Sequence, residues 1–302
     1  MSSKTLHITR IVLVLAVFLP TFNLTYAQIS EQEKRALLDL YEQTDGENWK
    51  NSWNLEESVL NWEGVKIKEG TVVVIDLFNN NLVGVLPESI GEFKNLTHLN
   101  VAFNGITGEL PKQLIQITAL RVLKLEMNRI KGELPETIGQ LEKLEELTAF
   151  NNFLTGHIPE GLGSLKNLKV LNLSSNNLKG QIPNSLGSLS KLESLGLFEN
   201  ALEGTIPSEM GKLSNLKELV LANNRLGGAI PIEFGQLASL RILQIQNNRF
   251  ESFNGLRQMN VEKLLAFDHD AGNDFNFEFD NPNKDKIRMA DTKFEDDDID
   301  NK

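Results

Sequence analysis

Residues 168–191 read LKVLNLSSNNLKGQIPNSLGSLSK. Leu168, Leu171 and Leu173 frame a short alternating stretch, and a two-residue apolar period marks a strand with one covered face. Asn176 falls where that strand has to bend away. A buried amide there offers a donor and an acceptor to backbone groups that a turning chain would otherwise leave unpaired. Leu178 and Ile182 continue the apolar line, Gly180 and Pro183 shape a turn, and Leu186 and Leu189 line the return. The result is one loop of 24 residues with an apolar inside and open flanks. Such a coil cannot bury its apolar side chains alone and needs neighbours stacked against it.

The rest of the chain supplies those neighbours. Asparagine recurs every 24 residues at Asn80, Asn104, Asn128, Asn152, Asn176, Asn200, Asn224 and Asn248. Proline keeps the same phase at Pro87, Pro111, Pro135, Pro159, Pro183, Pro207 and Pro231, and so does glycine from Gly84 to Gly228. Three residue types in step over seven turns predict a solenoid of eight coils across residues 71–256, with the asparagines as a buried ladder.

The repeated pattern LxxLxLxxNxLxGxIPxxLGxL resembles the plant-type, extracellular class of leucine-rich repeat. The resemblance implies an α/β repeat fold: a right-handed solenoid, parallel strands on the concave face, and 3-10 or irregular turns on the convex face. It also implies a cap at each end and ligand recognition rather than catalysis. The departures are few. Ala149 replaces the usual strand leucine, Ile115 stands where other units carry glycine, and the eighth unit loses the GxIP turn after Phe250.

A solenoid exposes core at both ends unless something covers it. Residues 28–70 read as an N-terminal cap. Ser30 and Glu33 form a capping box, Ala36, Leu37, Leu40 and Tyr41 make a helical apolar stripe, and Gly46 is placed to end that helix. Trp49, Trp53 and Trp62 follow and read as a hydrophobic lid. LNWEGVKI (residues 60–67) resembles the plant-type cap motif CxWxGVxC, with Leu60 and Ile67 where the family pairs cysteines, so an apolar contact is expected in place of the disulfide. Residues 257–283 read as the C-terminal cap, with Val261, Leu264 and Phe267 as a degenerate last strand and Phe275, Phe277 and Phe279 on one face. Residues 284–302 are an acidic tail, expected to be disordered.

Ahead of the cap, Lys4 and Arg10 precede nine apolar residues from Ile11 to Leu19, and Thr25-Tyr26-Ala27 follows with small residues. This order reads as a secretory leader over residues 1–27. The apolar run is too short to cross a ~30 Å hydrocarbon core, so no membrane span is expected in the mature chain. The expected location is extracellular, at a cell surface, or periplasmic if the source is bacterial.

Composition then removes whole classes of function. The chain has no cysteine, a net charge of −11 and four histidines. Disulfides and thiolate chemistry are excluded, four histidines leave little material for a histidine-rich metal centre, and the acidity argues against nucleic acid or anionic lipid. His98 and His157 fall on opposite sides of the repeat, so no triad forms. No cofactor or enzymatic activity is expected. What remains is the concave face. Its outward strand positions include Phe78, His98, Lys124, Glu126, Glu146, Thr148, Gln244, and the pair Phe150 and Phe198 in the column of Phe78. Phe103, Met127 and Glu199 lie one residue over. Exposed aromatics on a rigid sheet suggest a partner: a protein, peptide or glycan, neutral or basic because Glu126, Glu146 and Glu199 flank the track. Two alternatives are a structural or adhesive surface protein and an inhibitor of a secreted carbohydrate-degrading enzyme.

Overall fold

The computed structural model describes residues 29–259 and 263–270. The expected leader, Val261, the Phe275–Phe279 stretch and the acidic tail lie outside the described residues. Helix α1 (Glu31–Gln43) opens the described chain, and the repeats follow as one long stack.

The long sheet has ten strands. Strand β1 (Val65–Lys68) lies antiparallel at its edge against β2 (Thr71–Asp76). From β2 onward every pairing is parallel, through His98–Asn100, Val122–Lys124, Glu146–Thr148 and Val170–Asn172 to Ser194–Gly196, Glu218–Val220, Ile242–Gln244 and Ala266–Asp268. Register is uniform: Leu99, Leu123, Leu147, Leu171, Leu195, Leu219 and Leu243 stand side by side, and all are fully buried. A one-residue slip would turn this whole row outward, so the apolar pattern itself fixes the pairing. The last of these strands gives the parallel series a ninth member beyond the eight coils read from sequence, with Leu264 buried behind it.

Beyond each bend the chain pairs again, which the repeat did not reveal. Two four-stranded parallel sheets run along the flank, from Val83–Val85 to Phe153–Thr155 and from Lys179–Gly180 to Arg249–Ser252. A short 3-10 turn then returns each coil, from Glu88–Glu92 to Asn254–Gln258. Gly139 shows why glycine recurs in those turns: a Cβ there would fall 2.5 Å from the Gly161 carbonyl oxygen of the next coil. Ile115 occupies the equivalent place, and its turn (Lys112–Gln116) sits less closely on the following one than its counterparts do.

At the N-terminal end, α1 packs Ala36, Leu37 and Leu40 onto the first coil. Ser30 caps the helix by accepting from the Glu33 N–H. The Glu33 carboxylate is buried and accepts from the Val72 N–H in β2, tying helix to sheet. Burial pushes its pKa above the usual carboxylate range, against bonds from the Val72 and Ser30 backbone and the Ser30 hydroxyl. Gly46 does not end the helix. Thr44 is the C-cap and Asp45 takes the left-handed turn at φ 60°; Gly46 is small because a Cβ would lie 2.3 Å from the Tyr41 ring.

All three tryptophans are buried. Trp53 stacks on Trp62 at 4.7 Å and meets Trp49 edge-on at 4.9 Å. Their indole N–H groups donate to the backbone carbonyls of Thr44, Glu63 and Asn54, so each buried polar tip is satisfied. The Leu60 and Ile67 positions differ in burial: Leu60 is 56% exposed while Ile67 packs against the core. A 3-10 turn at Val59–Asn61 buries Val59 in its place and turns Leu60 to solvent.

Candidate ligand-binding face

The asparagines hold the face in position. Asn176 donates through Nδ2 to the carbonyls of Ala149 in the previous coil and of Leu173 and Ser174 in its own, and its Oδ1 accepts from the Leu154 N–H. The same set recurs at Asn128, Asn152, Asn200, Asn224 and Asn248, in each case reaching back one coil. Asn104 does likewise, with its Oδ1 shared between the N–H groups of Asn80 and Leu82. Asn80 has no earlier coil. It bonds the backbone of Asn51 instead, accepting at 2.7 Å and donating at 3.5 Å.

Ahead of each ladder asparagine stands a residue in the left-handed region: Asn79, Phe103, Met127, Asn151, Ser175, Glu199, Asn223 and Asn247, with φ between 49° and 57°. The N–H of each of the first seven donates to the next coil, as Phe103 does to the Glu126 carbonyl and Met127 to that of Phe150. Those bonds impose the conformation whatever the side chain. Asparagine adopts it readily; for a phenylalanine or methionine it costs on the order of 1–2 kcal/mol. Phe103 and Met127 therefore lie in this bend and not on the strand.

The outward columns of the long sheet differ from the sequence reading in several places. Glu126 is not exposed: it is 8% accessible and accepts from the hydroxyl of Thr148, itself buried. Gln244 is buried too, donating to Asp268. Lys124 and Glu146 form an ion pair at 2.9 Å, and the bond to Glu146 raises the lysine's pKa. Glu199 is exposed and accepts from the Ser175 hydroxyl. Of these three carboxylates Glu146 is paired with a cation, while Glu126 and Glu199 accept from hydroxyls. Phe150 and Phe198 are half-buried, His98 is exposed, and Phe78 is 52% exposed.

Sequence reasoning also missed a column of charge just ahead of the strands. Arg121, Glu145, Lys169, Glu193 and Lys217 alternate in sign at the repeat spacing. Glu145 takes Arg121 at 2.6 Å and Lys169 at 2.7 Å, and Glu193 takes Lys217. Bonds from Lys169 and then Arg121 hold the Glu145 carboxyl below the usual range. The signal was in the period, one position before the strand residues considered.

The N-terminal end looks different. The rings of Phe78 and Phe103 meet at 5.2 Å and form an exposed apolar ridge. A depression of about 340 Å³ lies on one side, lined by Asn51, Glu63, Lys66, Asp76 and Phe78 among others. Another of about 320 Å³ lies at the rim, lined by Lys50, Asn79, Val83, Phe103, Asn104 and Arg129 with Asn81 and Gly105. His98 opens a strand of the long sheet, whereas His157 lies past the flank strand Phe153–Thr155, beside Gly180 of the next coil. Among the described residues no group of three or more His, Asp or Glu side chains is placed to hold a metal ion, and no helix is long and apolar enough to cross a membrane.

Comparison with known proteins agrees with this architecture. Family models match residues 77–204, as a leucine-rich repeat region, and 214–258, as two copies of the leucine-rich repeat. No curated protein matches the chain by sequence. Among solved structures, the chain is similar to the ectodomain of the plant membrane receptor kinase GASSHO1/SCHENGEN3 from Arabidopsis thaliana, in complex with CASPARIAN STRIP INTEGRITY FACTOR 2. Identity is 31% and the TM-score 0.69, over 77% of this chain and 32% of that one. The PEPR1–AtPEP1 complex aligns with 29% identity and a TM-score of 0.70, over 78% of this chain and 37% of that one. A leucine-rich-repeat protein of Leptospira interrogans aligns with 33% identity and a TM-score of 0.55, over 64% and 47%. The chain thus spans between about a third and a half of the length of these structures. It is a leucine-rich-repeat protein whose solenoid resembles plant receptor ectodomains.

Proposed function

We propose that the chain is an extracellular recognition module that holds a peptide, or an extended segment of a protein, against its long sheet. The observation that carries this reading is the set of large apolar side chains left in solvent along this face. Phe78 and Phe103 are exposed, and Phe150 and Phe198 continue the column of Phe78 half-buried. A scaffold whose every coil is bonded to the next loses little freedom on binding, so most of the contact energy is retained as affinity.

The neighbours favour a peptide over a glycan. Arabidopsis HAESA, 27% identical over 80% of this chain, was solved with the peptide hormone IDA and the co-receptor SERK1. The leader-like residues 1–27 and the extracellular setting of such ectodomains support secretion.

The test is capture of the partner from culture medium and cell-wall fractions, followed by its affinity for wild type and for the Phe150→Ser/Phe198→Ser double variant. Weaker binding with an unchanged melting curve supports the proposal. Unchanged affinity with lowered stability shows that these rings only cover the sheet. Intact-mass measurement of secreted material should show residues 1–27 missing; a retained N-terminus removes the basis for secretion.

A further inference from the structure

We infer that the rim depression beside Phe103 is a subsite for an acidic and apolar stretch of peptide, which rests on the recognition role proposed above and specifies its ligand chemistry. Two independent observations meet there. The first is an exposed aromatic. At the bend ahead of the ladder, four of the eight coils use asparagine, whose short polar side chain tolerates left-handed φ. The bonds to the next coil impose the same conformation on Phe103, at φ 57°, but they do not cover its ring, which is 42% exposed beside Phe78. A large apolar side chain left in solvent next to another suits contact with a partner.

The second observation is charge. The depression is lined by Lys50 and Arg129, four asparagine or glycine residues with Val83 and Phe103, and no carboxylate. Lys50 is steadied by the Asn79 Oδ1 at 2.6 Å. Arg129 is exposed, and its side chain has no hydrogen-bond or ion-pair partner among the described residues. Arg121, Lys124, Lys169 and Lys217 each meet a glutamate, whereas Arg225 and Arg249, at the repeat position of Arg129, are exposed and without an ion pair like it; what sets Arg129 apart is the second cation, Lys50, lining the same depression. In a chain of net charge −11, a depression holding two cations and no acid is a local exception. The acidic surroundings repel long polyanions such as nucleic acid, while a short peptide with one or two carboxylates next to an apolar side chain fits both features. The carboxylate would take the Arg129 fork and the Lys50 ammonium, and the apolar side chain would lie on the Phe78–Phe103 ridge.

The probe is an array of degenerate octapeptides in three sets, acidic-apolar, neutral-apolar and basic-apolar, overlaid with the full-length secreted protein. The acidic set should be retained best. Phe103→Asn should reduce that retention roughly tenfold or more, as expected for a buried aromatic anchor, without lowering the melting temperature, because asparagine suits the bend. Arg129→Glu, at an exposed position, should move the preference toward the basic set. Equal retention of all sets, retention of none, or an acidic preference that both variants keep would overturn the assignment. Loss only in the Phe150→Ser/Phe198→Ser variant would overturn it too, while leaving the long-sheet reading intact.

Discussion

The middle coils, from Arg121 to Val220, and the N-terminal end, from α1 to Gly108, solve the same problem in different ways. In the middle, a side chain's needs are met by the residue one coil away. Asn176 reaches the Ala149 carbonyl, Glu145 reaches Lys169, and Lys124 is matched by Glu146. At the end there is no preceding coil, and unique residues substitute for one. Asn51 serves Asn80, Glu33 serves the Val72 N–H, and Asn79 serves Lys50. The rings of Phe78 and Phe103 pair with each other. Repetition satisfies the polar groups of the middle coils and leaves Phe150 and Phe198 half-buried; where repetition stops, the rings of Phe78 and Phe103 are more fully exposed.

The largest effect should come from breaking the repeat in its middle. Asn176→Leu removes three donated bonds and one accepted bond at a buried site. Each backbone group left unsatisfied costs about 1–3 kcal/mol, so a loss of several kcal/mol is expected by chemical denaturation. Asn80→Leu should cost much less, since its links to Asn51 are one accepted bond and one long donated bond. Asn248, although in the last unit, carries the full set and should behave like Asn176. Equal losses at positions 80 and 176 would mean that the ladder acts through the first coil as strongly as through the middle.

A smaller effect, of opposite sign, is expected at the end. The folded chain holds a proton on Glu33 more tightly than the unfolded chain does, because burial raises its pKa above 4.5. Stability contributed by this group is therefore greatest at acid pH and declines as pH rises through the folded value. Glu33→Gln keeps an acceptor for the Val72 N–H without the buried charge. It should melt at or slightly above the wild-type temperature at pH 7, and the advantage should vanish near pH 4. A variant clearly less stable than wild type at neutral pH would show that the charge itself holds α1 to β2.

Most of the fold was legible because the period is a statement about packing: one asparagine, one proline and one glycine per coil leave a single way to stack. The site was less so. The bend at Phe103 and Met127 is imposed by bonds to the next coil, and its only trace in sequence is that Asn79, Asn151, Asn223 and Asn247 share the position. Glu126 was misplaced because a carboxylate reads as exposed until a partner such as the Thr148 hydroxyl is seen beside it. Leu60 is exposed for a related reason: the family's cysteine spacing says where two side chains would meet when bonded, and nothing obliges two apolar ones there to be equally buried.

The smallest effect belongs to the charge column, and it separates surface pairing from burial. Glu145 lies between Arg121 and Lys169, all three partly exposed. Exposed pairs contribute little and are screened by salt. Glu145→Gln should therefore lower the melting temperature slightly at neutral pH and low salt. Because its partners depress the Glu145 pKa, the wild-type advantage is present above the ordinary value of 4.5 and fades as pH falls through the folded one. It should fade equally at about 1 M salt, where the screening length falls to about 3 Å. The Glu33 effect runs the other way with pH and should not respond to salt, since burial and not a neighbouring charge produces it. Melting curves of both variants over pH and salt thus set the repeating surface against the unique end. A Glu145→Gln loss that persists at high salt would mean that the middle coils depend on this column for structure, and the contrast between the two regions would narrow.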